Sequence, residues 1–132
     1  MNIAHDTGVA RQIGKYSDAV EVPSGARLLF LSGTPGLGPN GELSPKFEEQ
    51  AEQAWRNVAA ALEKAGMKIE NLVKVVQYLV RVEDLAVYPA VRARALGGHR
   101  PASMLSVVAA LPRVDFLIEI EAYAAAAPAS GR

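Results

Sequence analysis

The sequence predicts an α+β fold, in which a mixed β-sheet carries two helices on one face. Three observations lead to this prediction. Apolar segments with the composition of strands alternate with two amphipathic helical segments, in the order strand, strand, helix, strand, helix, strand, strand. Both helical segments have proline near their start and glycine just after their end. No linker or internal repeat interrupts this order, so we expect a single domain over residues 1–132.

The N-terminal third contains two predicted strands. Residues 1–17 are polar and broken by glycines, so no element is predicted there. A short strand over residues 18–22 is followed, after a Pro-Ser-Gly turn, by a strand over residues 27–31 that is apolar enough to be covered on both faces. The glycine-rich segment 33–41 lacks the Gly-Lys-Ser/Thr of a phosphate-binding loop, so we interpret it as an ordinary loop.

The first helix is predicted to start at Ser44 and Pro45, a capping hydroxyl followed by a proline suited to the first helical position. Apolar residues then recur at helical spacing, namely Phe47, Ala51, Ala54, Trp55, Val58, Leu62 and Ala65. We interpret Trp55 as a core residue of this stripe and Gly66 as a left-handed helix cap. A long strand over residues 71–81, with apolar residues on both faces, and a second helix from Tyr88 to Leu96 follow.

Two strands, over residues 100–112 and 116–122, are predicted to close the chain as a hairpin. In the second strand, Phe116, Ile118, Ile120 and Ala122 share one face, and Leu117, Glu119, Glu121 and Tyr123 share the other. A carboxylate on a largely apolar strand is costly unless it is paired. We therefore expect Glu119 to lie near Ser103 of the neighbouring strand, in a shared pocket. The alanine-rich tail 124–132 is expected to fray.

Composition narrows the classes of function. Fourteen Lys and Arg residues balance fourteen Asp and Glu residues, so a nucleic-acid partner is not favoured. The chain has no cysteine, and its two histidines, His5 and His99, lie far apart, so we expect neither a metal site nor a cofactor. Because no apolar run reaches membrane-spanning length and the N-terminus lacks a signal peptide's apolar core, we expect no membrane partner and a cytoplasmic location.

Four segments resemble the RidA/YjgF family of small deaminases. Residues 101–112 begin with Pro-Ala and end with Ala-Leu-Pro, and Ile-Glu-Ile-Glu-Ala follows at residues 118–122. Near the start, Ile-Gly-Lys-Tyr-Ser-Asp-Ala-Val at residues 13–20 is similar to the family's Ile-Gly-Pro-Tyr-Ser-x-Ala-Val, and Leu-Ser-Gly at residues 31–33 matches as well. The resemblance implies a chorismate-mutase-like fold and a homotrimer, with three sheets around a central barrel and a small-molecule ligand in each cleft between subunits.

The resemblance also implies a chemistry. Family members hydrolyse enamines and imines such as 2-aminoacrylate to a 2-keto acid and ammonia, with an arginine holding the substrate carboxylate and a glutamate activating water. In this sequence the glutamate matches Glu119, the early tyrosine matches Tyr16, and the serine and glycine match Ser32 and Gly33. The arginine, however, matches Ser103, and a hydroxyl cannot clamp a carboxylate as a guanidinium does.

The loss of that arginine leaves the substrate open. Arg92, which matches an asparagine lining the family's cleft, is the stronger candidate for the missing positive charge, and Arg100 is the other; the alternative is that both are surface charges. Glu119 is either a catalytic base or a carboxylate paired at a subunit interface, whereas we interpret Glu121 as structural. The main hypothesis is a hydrolase of a small enamine or imine carboxylate other than 2-aminoacrylate. A non-catalytic trimer that binds a small metabolite is the alternative, and an RNA-directed activity is less favoured because the net charge is zero.

Overall fold

A computed structural model describes residues 1–128 and has the predicted α+β architecture. The strands are β1 (Ile3–His5), β2 (Ala19–Glu21), β3 (Arg27–Pro35), β4 (Leu72–Leu79), β5 (Ala102–Val107) and β6 (Ile118–Ala126), and the helices are α1 (Phe47–Lys64) and α2 (Tyr88–Leu96). Short 3₁₀ turns lie at Ala10–Gln12, Ile69–Asn71 and Val82–Ala86. The main sheet has four strands in the order β3-β6-β4-β5, and β1 pairs with β2 in a small separate sheet.

The predicted hairpin of the last two strands is wrong, because β4 lies between β5 and β6. β4 pairs with β6 in antiparallel fashion and with β5 in parallel fashion. The parallel pair is joined by the crossover helix α2, and a crossover of this length places β5 beside β4 rather than beside the strand that follows. β5 and β6 are therefore separated by one strand, and the segment that connects them crosses the end of β4.

Both helices cover one face of the sheet, where the core lies. α1 packs on β3, β6 and α2. The predicted alternation of side chains along the last strand is confirmed, since Phe116 is 6% exposed and Ile118, Ile120 and Ala122, predicted to share its face, are fully buried. Trp55 of α1 is 3% exposed within the same core, as its place on the apolar stripe predicted.

The two ends of α1 show how local sequence fixes its length. Gly66 adopts φ +69°, and the N–H of Met67 donates to the carbonyl of Leu62 at 2.8 Å, which is the left-handed cap that the sequence predicted. The helix begins at Phe47, slightly later than predicted. Ser44 instead accepts a hydrogen bond from the N–H of Lys46 at 3.0 Å, in a turn that precedes the helix.

The opposite face of the sheet is open in the single chain. Leu28 and Phe30 of β3 are 58% and 71% exposed, and Met104 of β5 is 54% exposed. The prediction that the strand at residues 27–31 is covered on both faces therefore does not hold within one chain, because both helices lie on the same side. An apolar face of this kind is typical of a surface that binds another protein.

The chain ends differ from the prediction. Ile3–His5 is a strand paired with Ala19–Glu21, although no element was expected before residue 17. Ala124 and Ala125, expected to fray, are buried in β6 because that strand continues along β3 as far as Ala126. Residues 129–132 of the predicted tail lie outside the described residues. Over residues 1–128, no helix has the length and apolarity needed to cross a membrane.

Candidate functional site

Glu119 lies on the open face of the sheet, where it can meet a ligand. In the sheet register it stands between Pro35 of β3 and Tyr78 of β4. The side chain is half-buried, and this burial raises the pKa of the Glu119 carboxyl above its ordinary value. A carboxylate with a raised pKa and an open approach is a candidate general base.

A bulge in β3 makes room for this carboxylate. The β3–β6 register shifts between Leu31 and Thr34, so β3 continues past the predicted strand end, with Ser32 and Gly33 exposed at the irregularity. A Cβ built on Gly33 would lie 2.8 Å from Oε2 of Glu119. Glycine at this position therefore allows the carboxylate to approach the backbone of β3. We call Glu119, Gly33 and the adjoining Ser32 the carboxylate group.

Gln50 of α1 positions the start of β6, a role that the sequence analysis missed. The side chain is 1% exposed, and its Oε1 accepts a hydrogen bond from the N–H of Leu117 at 2.9 Å. Its Nε2 donates to the carbonyls of Ser44 and Asp115 at 2.8 and 3.0 Å. The signal was present, because Gln50 occupies a buried position of the otherwise apolar helix stripe, and a buried amide needs partners.

Glu121 is tied to its own sheet. It accepts hydrogen bonds from the hydroxyls of Tyr78, at 3.3 Å, and Tyr123. Burial first, and then the charge of Glu121, raises the pKa of Tyr78, and the hydrogen bond to Glu121 raises that of Tyr123. Both hydroxyls thus remain donors, which agrees with the structural role predicted for Glu121.

A second set of predicted site residues lies near the start of β5. The ring of Tyr16 and the guanidinium of Arg92 both lie close to Gly14, 3.4 and 3.6 Å from a Cβ built there. Lys15, Arg92, His99 and Arg100 all line one cleft of about 480 Å³ that has no carboxylate in its wall. Arg100 also lines the neighbouring pocket that contains Tyr16. We call Tyr16, Arg92 and Arg100 the cationic group.

Backbone contacts hold the cationic group in place. Ser17 donates its hydroxyl to the carbonyl of Arg100 at 2.5 Å and its N–H to that of Pro101 at 3.1 Å, which fixes the segment carrying Tyr16 to the start of β5. His99 lies in the loop after α2 and is half-buried, and its Nε2 donates to the carbonyl of Leu72 at 2.7 Å. Arg92 lies over the ring of Tyr88, 5.7 Å from its centroid.

The structure does not bring Ser103 and Glu119 together as predicted. Ser103 pairs with Val75 of β4, whose other partner is Ala122, and both of those residues face the helices. Glu119 pairs with Tyr78 on the opposite face. Because β4 separates the two strands and neighbouring residues of a strand alternate between faces, no shared pocket of these two side chains forms within one chain. Ser103 instead accepts a hydrogen bond from the amide of Gln77 at 3.0 Å.

No metal site is formed by the side chains of residues 1–128, among which no three His, Cys, Asp or Glu residues lie close enough to hold one ion. The groups available for chemistry are the carboxylate of Glu119, the guanidinium groups of Arg92 and Arg100, and the hydroxyls of Tyr16 and Ser103.

Comparison with known proteins places this arrangement in a family. A family model described as endoribonuclease L-PSP matches residues 8–126. The chain is 37% identical, over 118 residues, to the 2-iminobutanoate/2-iminopropanoate deaminase of Mus musculus, covering 88% of this chain and 84% of that protein. A Rid family protein of unknown function from Yersinia pestis superposes with a TM-score of 0.82 at 28% identity, covering 93% of this chain and 97% of that one.

A second solved structure, RidA from an Antarctic Psychrobacter, superposes with a TM-score of 0.70 at 35% identity, covering 85% of this chain and 89% of that one. The family model thus spans nearly the whole described chain, and a deaminase relative is more than a third identical along most of it. The chain therefore belongs to the RidA/YjgF family and has the chorismate-mutase-like fold of its solved members.

Proposed function

We propose that this protein is a homotrimeric hydrolase that deaminates a small enamine or imine carboxylate other than 2-aminoacrylate. The observation that carries the proposal is the half-buried carboxylate of Glu119, which lies over the bulge at Gly33 and has a raised pKa. A carboxylate in this setting is suited to take a proton from water. The family membership and the activity named for the mouse relative support the reaction class.

The trimer is part of the proposal because one chain holds only half of a site. The carboxylate group is on the open face of the sheet, whereas Arg92 and Arg100 of the cationic group line a cleft along α2 and Tyr16 lines the pocket beside it. Exposed apolar side chains, including Leu28, Phe30 and Met104, cover the open face and offer a surface on which further copies pack. We propose that packing on this face apposes the carboxylate group of one copy to the cationic group of the next.

The reaction is a hydrolysis in which the atoms balance without a further reagent. Glu119 accepts a proton from water as the water oxygen bonds to the imine carbon, which gives a tetrahedral carbinolamine. The proton held by Glu119 passes to the nitrogen, and the carboxylate then transfers the hydroxyl proton of the carbinolamine to the same nitrogen. The C–N bond breaks, and ammonia leaves as the 2-keto acid forms. The products are the keto acid and ammonia, and Glu119 returns to its ionised form.

The cations determine which substrate fits. With a hydroxyl at position 103, the carboxylate of the substrate is bound instead by Arg92 and Arg100, which approach from the side of α2 and the start of β5. This displaces the carboxylate relative to the family's arginine, so the smallest substrate, 2-aminoacrylate, is held poorly at Glu119. The proposed ligand is a longer imine carboxylate, and the proposal includes no metal, cofactor, nucleic acid or membrane partner.

The experiment is ammonia release from imino acids generated in the assay by an amino acid oxidase acting on amino acids of different side-chain length. We expect turnover of one or more of the longer imino acids and little of 2-aminoacrylate. Glu119→Gln should abolish turnover while light scattering still shows a trimer. Glu121→Gln, on the same face two residues along the strand, is the matched control and should retain it.

Arg92→Gln should raise KM by about tenfold or more through loss of a charged hydrogen bond, whereas Arg94→Gln, an exposed arginine of the same helix, should not. Absence of turnover for every imino acid, together with saturable binding of a 2-keto acid, would favour the alternative of a non-catalytic binding trimer. Turnover that survives Glu119→Gln would contradict the assignment of the base.

A further inference from the structure

Gln77 is a fully buried amide in the middle of β4, and both polar atoms of its side chain are hydrogen-bonded. It is 0% exposed. Its Nε2 lies 3.0 Å from Oγ of Ser103 and 2.9 Å from the carbonyl oxygen of Met104. Its Oε1 lies 2.7 Å from the hydroxyl of Tyr88, on α2. A polar side chain this deeply buried on a central strand is unusual, and it connects the second helix to the edge strand β5.

The direction of every hydrogen bond in this chain of contacts follows from one backbone group. The carbonyl of Met104 can only accept, so it fixes the Gln77 amide with its nitrogen toward β5. The Oε1 atom must then face Tyr88, and the Tyr88 hydroxyl must donate to it. The second proton of the same nitrogen is directed at Ser103, so Oγ of Ser103 is an acceptor in this contact.

Tyr88 is suited to remain a donor. Tyr88 is fully buried, and this burial raises the pKa of its hydroxyl far above the ordinary value. The phenol is therefore protonated throughout the physiological range, and the polarity of the contacts does not reverse with pH.

We propose that Gln77 and Tyr88 act as positioning residues that fix the Ser103 hydroxyl as an outward hydrogen-bond donor, so that position 103 recognises a ligand oxygen that accepts a single hydrogen bond. Because Gln77 donates to Oγ, the hydroxyl proton of Ser103 is free to turn away from Gln77, and Ser103 is only half-buried. This inference rests on the proposed function in one respect, that position 103, which matches the family's substrate-binding arginine, faces the ligand cleft between subunits.

The recognition that results differs in kind from a carboxylate clamp. A guanidinium offers two parallel N–H groups and a full charge, whereas the oriented serine offers one neutral donor. A keto, imino-acid or hydroxyl oxygen of the ligand satisfies such a donor. The ligand's charge is then bound elsewhere, which is consistent with the cations that line the neighbouring cleft.

The orientation can be tested without a ligand, because the chain contains no cysteine and Ser103→Cys introduces a unique thiol. A thiolate at this position receives the hydrogen bond from Gln77, which stabilises the charged form. We expect the pKa of the thiol, measured from thiolate absorbance, to be lower in S103C than in S103C/Q77M by about 1 unit. Ser106→Cys, on the same strand but facing Tyr78, is the matched control, and Q77M should leave its pKa unchanged.

Equal thiol pKa values in S103C and S103C/Q77M, or the same shift in the S106C pair, would overturn the positioning role. If Q77M does not fold, Tyr88→Phe gives the second measurement. It removes the donor to Oε1 and should raise the pKa of the S103C thiol in the same direction by a smaller amount.

The recognition is tested with 2-oxobutanoate as the probe, by calorimetry on the full chain. Ser103→Ala should weaken binding about five- to tenfold, the value of one hydrogen bond, and Q77M should weaken it in wild type but add nothing in the S103A background. Unchanged binding in S103A, additive effects or no binding at all would overturn the inference. Normal imine turnover in S103A would contradict this inference and leave the proposed hydrolase intact. Binding of 2-oxobutanoate that depends on Ser103, in a protein with no imine turnover, would contradict the proposed hydrolase and leave this inference intact.

Discussion

Ser103 and Glu119 face opposite sides of one β-sheet, although a single strand separates their backbones. The geometry means that the two residues matched to the family's carboxylate clamp and base cannot act on one ligand from the same chain. It also means that each can be altered without disturbing the other, which makes the predictions below separable.

The first prediction concerns position 103. Ser103→Arg should create or raise 2-aminoacrylate deamination by about tenfold or more, since a guanidinium restores two-pronged binding of the substrate carboxylate. Ser103→Lys is the control, because it adds the positive charge without the two parallel N–H donors of a guanidinium and should give a smaller gain in deamination rate. Initial rates of ammonia release measure both. No gain in S103R would indicate that the cleft differs from the family's by more than this residue.

The second prediction separates activity from stability at the bulge. Gly33→Ala should lower kcat/KM by about ten- to a hundredfold, because the new Cβ meets Oε2 of Glu119 at 2.8 Å and displaces the carboxylate. Thermal unfolding should change little, since the displaced atom is the end of a flexible side chain. Gly66→Ala should do the reverse, costing about 1 kcal/mol at φ +69° while activity is retained.

The third prediction is a pH dependence. A base must be ionised, so activity should fall as the pH drops through the pKa of Glu119, and the acid limb of kcat/KM should lie above the ordinary glutamate value of about 4.3. The sign for stability is opposite. The folded state holds the proton more tightly than the unfolded state, so ionisation above that pKa opposes folding and Glu119→Gln should raise the neutral-pH melting temperature. A flat rate profile down to pH 4 would exclude Glu119 as the base.

The fourth prediction tests the open face of the sheet. Phe30 is 71% exposed and its ring meets Tyr123 edge-on at 5.7 Å. Phe30→Glu places a charge in the proposed interface and should convert the trimer to monomers and abolish turnover. Val82→Glu, at a residue that is 69% exposed beyond the end of β4, should leave both mass and turnover unchanged. A trimer that survives F30E would remove this face from the interface.

The fifth prediction concerns Gln50. Gln50→Leu should destabilise the fold by about 2–4 kcal/mol, because it leaves the N–H of Leu117 and two carbonyls without their partner. Gln53→Leu, one turn away and bonded only to side chains of its own helix, should cost under about 1 kcal/mol. Denaturant unfolding measures both, and equal losses would show that Gln50 contributes no more than an ordinary helix glutamine.

Local patterns predicted much of the fold. The apolar stripe of α1 predicted the burial of Trp55, Gly66 predicted the helix end, and alternation in β6 predicted which side chains share a face. These features depend on neighbours along the chain. The position of β5 beside β4 depends instead on a crossover, and β1 is only as stable as its pairing with β2, so neither is visible in a window of sequence.

The candidate site was predicted as a set of residues but not as an arrangement. Matching motifs identified Tyr16, Arg92 and Glu119, yet gave no indication that they form two groups. Gln50 and Gln77 were missed because a glutamine among apolar residues resembles a surface position until its partners are known. Both amides are satisfied by contacts distant in sequence, and such contacts follow only from the three-dimensional fold.

The division of the pocket between two groups of side chains has a genetic consequence. In the proposed ring, a chain lacking Glu119 is inactive alone, and a chain lacking Arg92 binds its substrate weakly. Mixed assemblies of the two would nevertheless contain some interfaces at which an intact Glu119 of one chain meets an intact Arg92 of the other, so two defective alleles expressed together would partly restore turnover.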